Sequence, residues 1–557
     1  MSRLNPFKKF QQPKPEGPAY FASTWDKAET FTVVVLLLIA IERLGREDAE
    51  WVSRFQESVF RHFAIVEPIE QRTILEEVFR KREASDEFIF ENVTRTLLPV
   101  EYASSSKKDI RMEILSDFLL ICLGLFNTHQ DIHSDSKREM RKHQEKENKI
   151  GEYDARSRAA LFEVAKLLYI PVEYVHFTES IVSEELYMTK LLGQQAVNTM
   201  DETTKANIEA HSKRKKKWRW VATGVSAVVG ATAIGLTGGL AAPLVAAGFG
   251  ALGLGSVAML ASTTGVAVIT SLFGIAGGGL TGYKVTRRMR NLREFYFKPI
   301  SVTDQEPSIP SLSATIVISG YLRTLDDATF PWSQAFANTH SHRDIYSLIF
   351  ESEELLSLGG ALDMFLATKA ASFTAKQILK HTAMAPLMAS IALPMSLIKA
   401  GNLIDNPWIT GMDKAKKAGL ILADVLIERV QGNRPTSLVG YSLGALVIFE
   451  CLLELANRKQ YGLVDEVILL GAPINIDVKR WTAASSVVSR RFINGYSKND
   501  WVLGFLFRIH NLNLNAAGLE PVKVPGIQSV DLTEVVSGHN AYLDNLDAIL
   551  KHVGIDG

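Results

Sequence analysis

Ser437-Leu438-Val439-Gly440-Tyr441-Ser442-Leu443-Gly444-Ala445-Leu446-Val447-Ile448-Phe449-Glu450-Cys451-Leu452-Leu453-Glu454-Leu455-Ala456 decides how the C-terminal half of this chain is read. The short apolar run into Gly440 has the length of a buried strand, predicted over 436–441, and the run from Ala445 has the composition of a buried helix. Between them lies one tight turn. A glycine stands two residues before Ser442 and another two residues after it, so strand and helix can approach closely there.

This G-x-S-x-G sequence is the pattern of a nucleophile elbow, which presents a serine hydroxyl at the top of an α/β-hydrolase sheet, next to a helix N-terminus that favours developing negative charge. Gly440, Tyr441 and Gly444 form the elbow around Ser442. A serine is a weak nucleophile until a base takes its proton, and the base needs an acid to hold its tautomer, in the chain order Ser, Asp or Glu, His. Asp500, just after an apolar strand candidate, is the first choice for the acid, with Asp477 as the alternative. His539, after the last strand candidate and before a terminal helix, is the expected base. His510 follows Asp500 too closely for a strand to intervene, and His552 falls inside the final helix. The oxyanion hole is expected from the Leu443 N–H and a second N–H at Gly320 or Tyr321, at the end of an earlier strand.

Working outward, strands are predicted at 314–320, 345–351, 466–470, 491–496 and 528–532, alternating with helical stretches as in a mainly parallel sheet covered by helices. An apolar helical insert at 355–403 is expected to serve as a lid, an acyl-binding wall or plain core.

Residues 220–283 contain no Asp, Glu, Lys, Arg or His. At ~20 residues per crossing this is enough for a helical hairpin in a membrane. Lys213, Arg214, Lys215, Lys216 and Lys217 precede it, and Lys284, Arg287, Arg288 and Arg290 follow, so both ends are expected on the cytosolic side. Gly248, Gly250 and Gly253 fit G-x-G-x-x-G by accident: no strand precedes them and no acidic ribose partner follows.

Upstream, runs at 31–41, 110–126 and 155–169 predict a helical bundle. The first is too short to span a membrane. His129 and His133 are spaced to share a helix face, but no third metal ligand accompanies them, and a solvated surface is the expectation. The expected division is a disordered start at 1–18, a helical domain at 19–212, the basic-flanked hairpin at 213–290 and an α/β-hydrolase domain at 291–557.

Lys plus Arg and Asp plus Glu both number 61 in 557 residues, so no net charge draws the chain to nucleic acid. Two cysteines, Cys122 and Cys451, give no disulfide framework, and the start carries no apolar core of a secretory signal. A reducing, intracellular setting follows.

Beyond the elbow, the chain carries Tyr153-Asp154-Ala155-Arg156-Ser157-Arg158, Gly235-Leu236-Thr237-Gly238-Gly239-Leu240-Ala241-Ala242-Pro243-Leu244, Leu280-Thr281-Gly282-Tyr283-Lys284, Ile404-Asp405-Asn406-Pro407-Trp408, Leu470-Gly471-Ala472-Pro473, Tyr496-Ser497-Lys498-Asn499-Asp500-Trp501 and Val536-Ser537-Gly538-His539. On these segments it resembles the transmembrane and coiled-coil domain-containing protein 4 family, α/β-hydrolase-like membrane proteins formerly grouped as a domain of unknown function. The resemblance covers roughly 151–550 and implies an intracellular membrane protein with a lipase-like domain and a Ser442, Asp500, His539 triad. Tyr321 stands where the resemblance leads one to expect Trp.

The combined expectation is a serine esterase or lipase on an endomembrane, with termini and catalytic domain in the cytosol. Its expected partners are membrane lipid and a lipid ester substrate, and no cofactor or metal is implied. Two rivals use the same residues: a silent hydrolase-fold adaptor that recruits trafficking proteins, and an acyltransferase.

Overall fold

The computed structural model describes residues 25–45, 48–97, 110–124, 153–195, 292–300, 310–337, 339, 343–372, 395–510 and 515–555. The chain divides into two units, Met1–Thr237 and Gly238–Gly557. The expected hairpin at 213–290, the His129/His133 pair, the start at 1–18 and the middle of the insert lie outside the described residues. No described helix is long and apolar enough to cross a membrane.

The first unit is helical: α1 (Lys27–Leu44), α2 (Ala49–His62), α3 (Pro68–Lys81), α4 (Asp86–Leu97), α5 (Ile110–Cys122), α6 (Ala155–Leu167) and α7 (Val172–Gln195). Asp26 caps α1 by accepting from the Ala28 and Glu29 amides, and Glu29 answers the Asp26 amide, which fixes where the helix begins. Every residue from Val33 to Ile41 is buried. A helix apolar on all sides belongs in a core, and α1 is enclosed by α2, α3, α4 and α6. The Tyr153 to Arg158 motif has a structural use here. The Tyr153 hydroxyl and the Arg158 guanidinium both donate to the buried Glu179 carboxylate of α7, Arg158 Nε at 2.7 Å. Although burial acts the other way, Arg158 holds the Glu179 carboxyl well below the usual range.

Among the described residues the second unit has seven strands: β1 (Phe295–Ile300), β2 (Ala314–Ile318), β3 (Asp344–Phe350), β4 (Thr436–Tyr441), β5 (Val464–Leu470), β6 (Val488–Tyr496) and β7 (Ile527–Asp531). They form one sheet in the order β1-β3-β2-β4-β5-β6-β7. β1 runs antiparallel to β3, and every other pairing is parallel. β2, β4 and β5 are buried throughout, as strands covered on both faces must be. β1 is the strand absent from the sequence reading. It contains Pro299 and mixes buried with exposed residues, which suits its place at the edge of the sheet.

The helices of this unit are α8 (Phe330–Phe336), α9 (Ser352–Ser372), α10 (Met395–Ile427), α11 (Leu443–Asn457), α12 (Val478–Ser485), α13 (Trp501–His510), α14 (Ala541–Asp544) and α15 (Leu546–Val553). α11 lies on β4 and is flanked by α10 and α12. The chain leaves β2 for β3 on one side, then crosses to β4 on the other. In a parallel sheet such a reversal leaves a crevice at the carboxyl ends of the two central strands, where ligands of this architecture bind.

Candidate active site

Ser442 follows the last residue of β4 and precedes the first of α11, with φ +54° and ψ −124°. A non-glycine residue at positive φ stores roughly 1–3 kcal/mol of strain, tolerated where the surrounding structure over-determines it. Here both flanks do so. A Cβ at Gly444 would come within 2.1 Å of the Ile318 carbonyl oxygen of β2, and one at Gly440 within 2.8 Å of the Gly444 backbone. Only glycines let helix, turn and two strands meet at this spacing, while the Ser442 amide donates to the Leu470 carbonyl at 2.9 Å.

The Ser442 Oγ lies 2.7 Å from His539 Nε2, and His539 Nδ1 lies 2.7 Å from Asp500 Oδ2. Asp500 follows β6, and His539 follows β7. The second Asp500 oxygen, Oδ1, accepts from the Leu503 amide at 3.0 Å, so the carboxylate also starts α13 and cannot swing. Three side chains distant in sequence thus form one continuous hydrogen-bonded row, in the order expected of them.

The alternatives have other places. Asp477 caps α12 through the Arg480 amide. His552 is exposed on α15, and His510 ends α13 with its side chain outside the described residues. Among the described residues no group of three His, Cys, Asp or Glu side chains is placed to hold a metal ion. Cys122 and Cys451 are free and buried.

Gly320 stands directly against the elbow. A Cβ there would meet the Tyr441 carbonyl oxygen at 2.2 Å, the Leu443 amide nitrogen at 2.4 Å and Ser442 Cβ at 2.7 Å. The loop after β2 and the first amide of α11 therefore face each other beside the serine. The Tyr441 hydroxyl donates to the Tyr321 carbonyl at 2.9 Å, and the Tyr321 hydroxyl donates to the His539 carbonyl at 3.1 Å. Burial pushes both phenols well up, so they remain neutral donors.

Two further features escaped the sequence reading. Arg323 bridges to both Asp544 oxygens, at 2.5 and 3.4 Å, tying the Gly320 loop to the helix that follows His539. Trp332 of α8 donates to Ser319 Oγ at 2.9 Å and lies close to the Tyr441 ring, supporting the elbow from behind. Nothing local in the sequence pairs Arg323 with Asp544.

The site is sealed. Ser442 and Asp500 have no exposed surface, and His539 has 1 %. A Cβ at Gly359 of α9 would strike the Leu322 carbonyl oxygen at 1.9 Å, and one at Gly411 of α10 would meet Leu443 Cδ1 at 2.6 Å. Phe365 of α9 packs on Trp501 and Phe505 of α13, with ring centroids 5.5 and 5.1 Å apart. The described part of the insert in α9 thus rests on the Gly320 loop and the helix that Asp500 caps, while α10 beyond the insert meets the elbow.

Residues 214–556 match the family described as a protein of unknown function, DUF726. The chain belongs to this DUF726 family. It is 36% identical over 420 residues to the transmembrane and coiled-coil domain-containing protein STS1 of Oryza sativa subsp. japonica, covering 72% of this chain and 61% of that protein. It is 38% identical over 414 residues to an uncharacterized membrane protein of Caenorhabditis elegans, covering 73% and 64% respectively. Over 411 residues it is 34% identical to the probable lipase MIL1 of Saccharomyces cerevisiae, covering 72% of this chain and 37% of that one. The match therefore spans about three fifths of the rice and nematode relatives. No solved structure matches the chain. The DUF726 match begins within the basic run before the uncharged stretch and takes in every strand of the sheet.

Proposed function

We propose that this DUF726 protein is a membrane-anchored serine hydrolase of the α/β-hydrolase type, acting on a lipid ester. The observation that carries the reading is the row Ser442–His539–Asp500, with 2.7 Å at each link, on the loops that follow the parallel strands β4, β7 and β6. In this reading His539 Nε2 takes the Ser442 proton as Oγ attacks the acyl carbon, and Asp500, remaining ionised, orients the imidazole and stabilises its charge. The Leu443 amide and an amide of the Gly320–Tyr321 loop receive the oxyanion. Collapse breaks the acyl–oxygen bond, and the alcohol leaves with the proton from His539. Water, deprotonated by His539, then releases the acid and restores Ser442.

The lipid assignment draws on the probable-lipase name of the yeast relative and on the apolar insert, whose Leu358 and Phe365 are buried. Membrane attachment draws on the uncharged 220–283 stretch and on the membrane names of the rice and nematode relatives. The hairpin at 213–290 then tethers the 291–557 domain beside lipid, on the cytosolic face of an endomembrane. Burial of the serine requires α9 and α10 to move before substrate enters, which makes the insert a cover as well as an acyl wall.

The test is the full chain with phospholipid vesicles containing a fluorogenic acyl ester. Acid release that disappears in Ser442→Ala is expected. Vesicle binding without any release contradicts the hydrolase and favours the adaptor, and acyl transfer to an added alcohol with no acid released favours the acyltransferase. Protease shielding of a tag at either terminus contradicts the cytosolic orientation.

A further inference from the structure

Tyr542 of α14 is wholly buried, and its hydroxyl has no hydrogen-bond partner among the described residues. Leaving a buried hydroxyl unpaired costs about 1–3 kcal/mol, so a packing role alone is better filled by Phe. The ring is held in place on two sides. It stands edge-on to the His539 imidazole, with centroids 5.9 Å apart and planes at 74°. On the other side a Cβ at Gly471, where φ is +54°, would come within 2.5 Å of the ring and 3.0 Å of the hydroxyl oxygen. Gly471 follows Leu470, whose carbonyl accepts the Ser442 amide, so the unpaired hydroxyl sits at the strand ends that hold the site.

Asp500, bonded to the same imidazole that the Tyr542 ring packs on, has acceptor capacity to spare. Its Oδ2 faces His539 Nδ1 and its Oδ1 takes the Leu503 amide, which leaves a second lone-pair site on each oxygen. Burial first, and then the charge of Asp500, push the Tyr542 phenol well up, so it keeps its proton beside the carboxylate. We propose that Tyr542 is a positioning residue for the candidate reaction, its hydroxyl closing on Asp500 as charge develops on the His539 imidazole. An added donor on the carboxylate favours the state in which Asp500 stays ionised and His539 carries the serine proton. No proton leaves Tyr542, and no covalent bond to it forms. The role rests on the hydrolase reading above.

The experiment compares the full chain, Tyr542→Phe, Tyr542→Leu and Ser442→Ala. It measures the labelling rate by an alkyl fluorophosphonate, kcat and KM on a p-nitrophenyl acyl ester, and Tm. For Tyr542→Phe, labelling and kcat fall about tenfold or more, the effect of one hydrogen bond to a charged group. KM stays within about twofold and Tm is unchanged or higher, because the stranded hydroxyl is gone. Tyr542→Leu, which also loses the ring, lowers Tm as well as rate. Labelling of Tyr542→Phe at the unsubstituted rate, or a fall in its activity that tracks a fall in Tm, overturns the role of the hydroxyl and leaves the hydrolase reading standing. Failure of the unsubstituted chain to label overturns both.

Discussion

Adding one methyl group at Gly320 tests the closeness of loop and elbow on which the candidate oxyanion site depends. In Gly320→Ala the new Cβ would lie 2.2 Å from the Tyr441 carbonyl oxygen and 2.4 Å from the Leu443 nitrogen. Both are backbone atoms of a strand and a helix buried in the core, and neither can rotate away. To restore ordinary contact the loop has to retreat by about 1 Å. Overpacking of this kind costs about 1–3 kcal/mol, or roughly 2–4 °C of Tm per kcal/mol in a domain of this size. The rate falls further, since a displacement of about 1 Å at a reacting centre costs on the order of a hundredfold. The loop carries the proposed oxyanion donor and, through Tyr321, holds the His539 carbonyl. The assay is kcat and KM on a soluble acyl ester, with calorimetry on the same sample. kcat is expected to drop about a hundredfold with a Tm loss of a few degrees. A folded Gly320→Ala with unchanged kcat would falsify the assignment of this loop to the reaction.

Arg323→Ala removes the bridge to Asp544, a pair 34% and 48% exposed and so worth under about 1 kcal/mol in stability. Activity is nevertheless expected to fall severalfold, and activity of the unsubstituted chain should decline with salt in a way the variant does not share. Asp500→Asn keeps the cap on α13 but no longer holds the imidazole tautomer, and kcat is expected to drop about 10³–10⁴-fold. Asp477→Asn, at the cap of α12, should leave kcat unchanged, and the reverse pattern in the same kinetic assay refutes the choice of acid. Phe365→Leu loses two aromatic contacts worth about 0.5–1.5 kcal/mol each. Fluorophosphonate labelling should become severalfold faster as α9 lifts more readily, and an unchanged labelling rate refutes the covering role of the insert.

How much of this was readable from sequence depends on how far each feature is from its partner. The β4 strand fits its prediction residue for residue, because a short β-prone run there ends at the glycine-flanked turn that opens a helix. Ser442, Asp500 and His539 were legible for a related reason. Each follows a strand in the order Ser, Asp, His, an order that Asp477 also meets, so chain order alone leaves the acid open between Asp500 and Asp477. β1 was not legible, since Pro299 and half-exposed alternation blur an edge strand into a loop. The run at 31–41 pointed to a bundle only through its length, and its burial inside α1 explains the lack of a polar face. The bonds from Tyr321 to His539 and from Arg323 to Asp544 join residues 218 and 221 positions apart. Only the path of the sheet brings them together. The unpaired hydroxyl of Tyr542 is harder still to foresee, because it is defined by what surrounds it.

The central claim is that Ser442 is a nucleophile activated by His539. Its most direct measurement is reaction of the full chain with an alkyl fluorophosphonate, followed by mass spectrometry of the adducted peptide. A single adduct on Ser442, abolished in Ser442→Ala and strongly slowed in His539→Ala, is the predicted result. No adduct, an adduct on another residue, or equal labelling of the Ser442→Ala chain contradicts it.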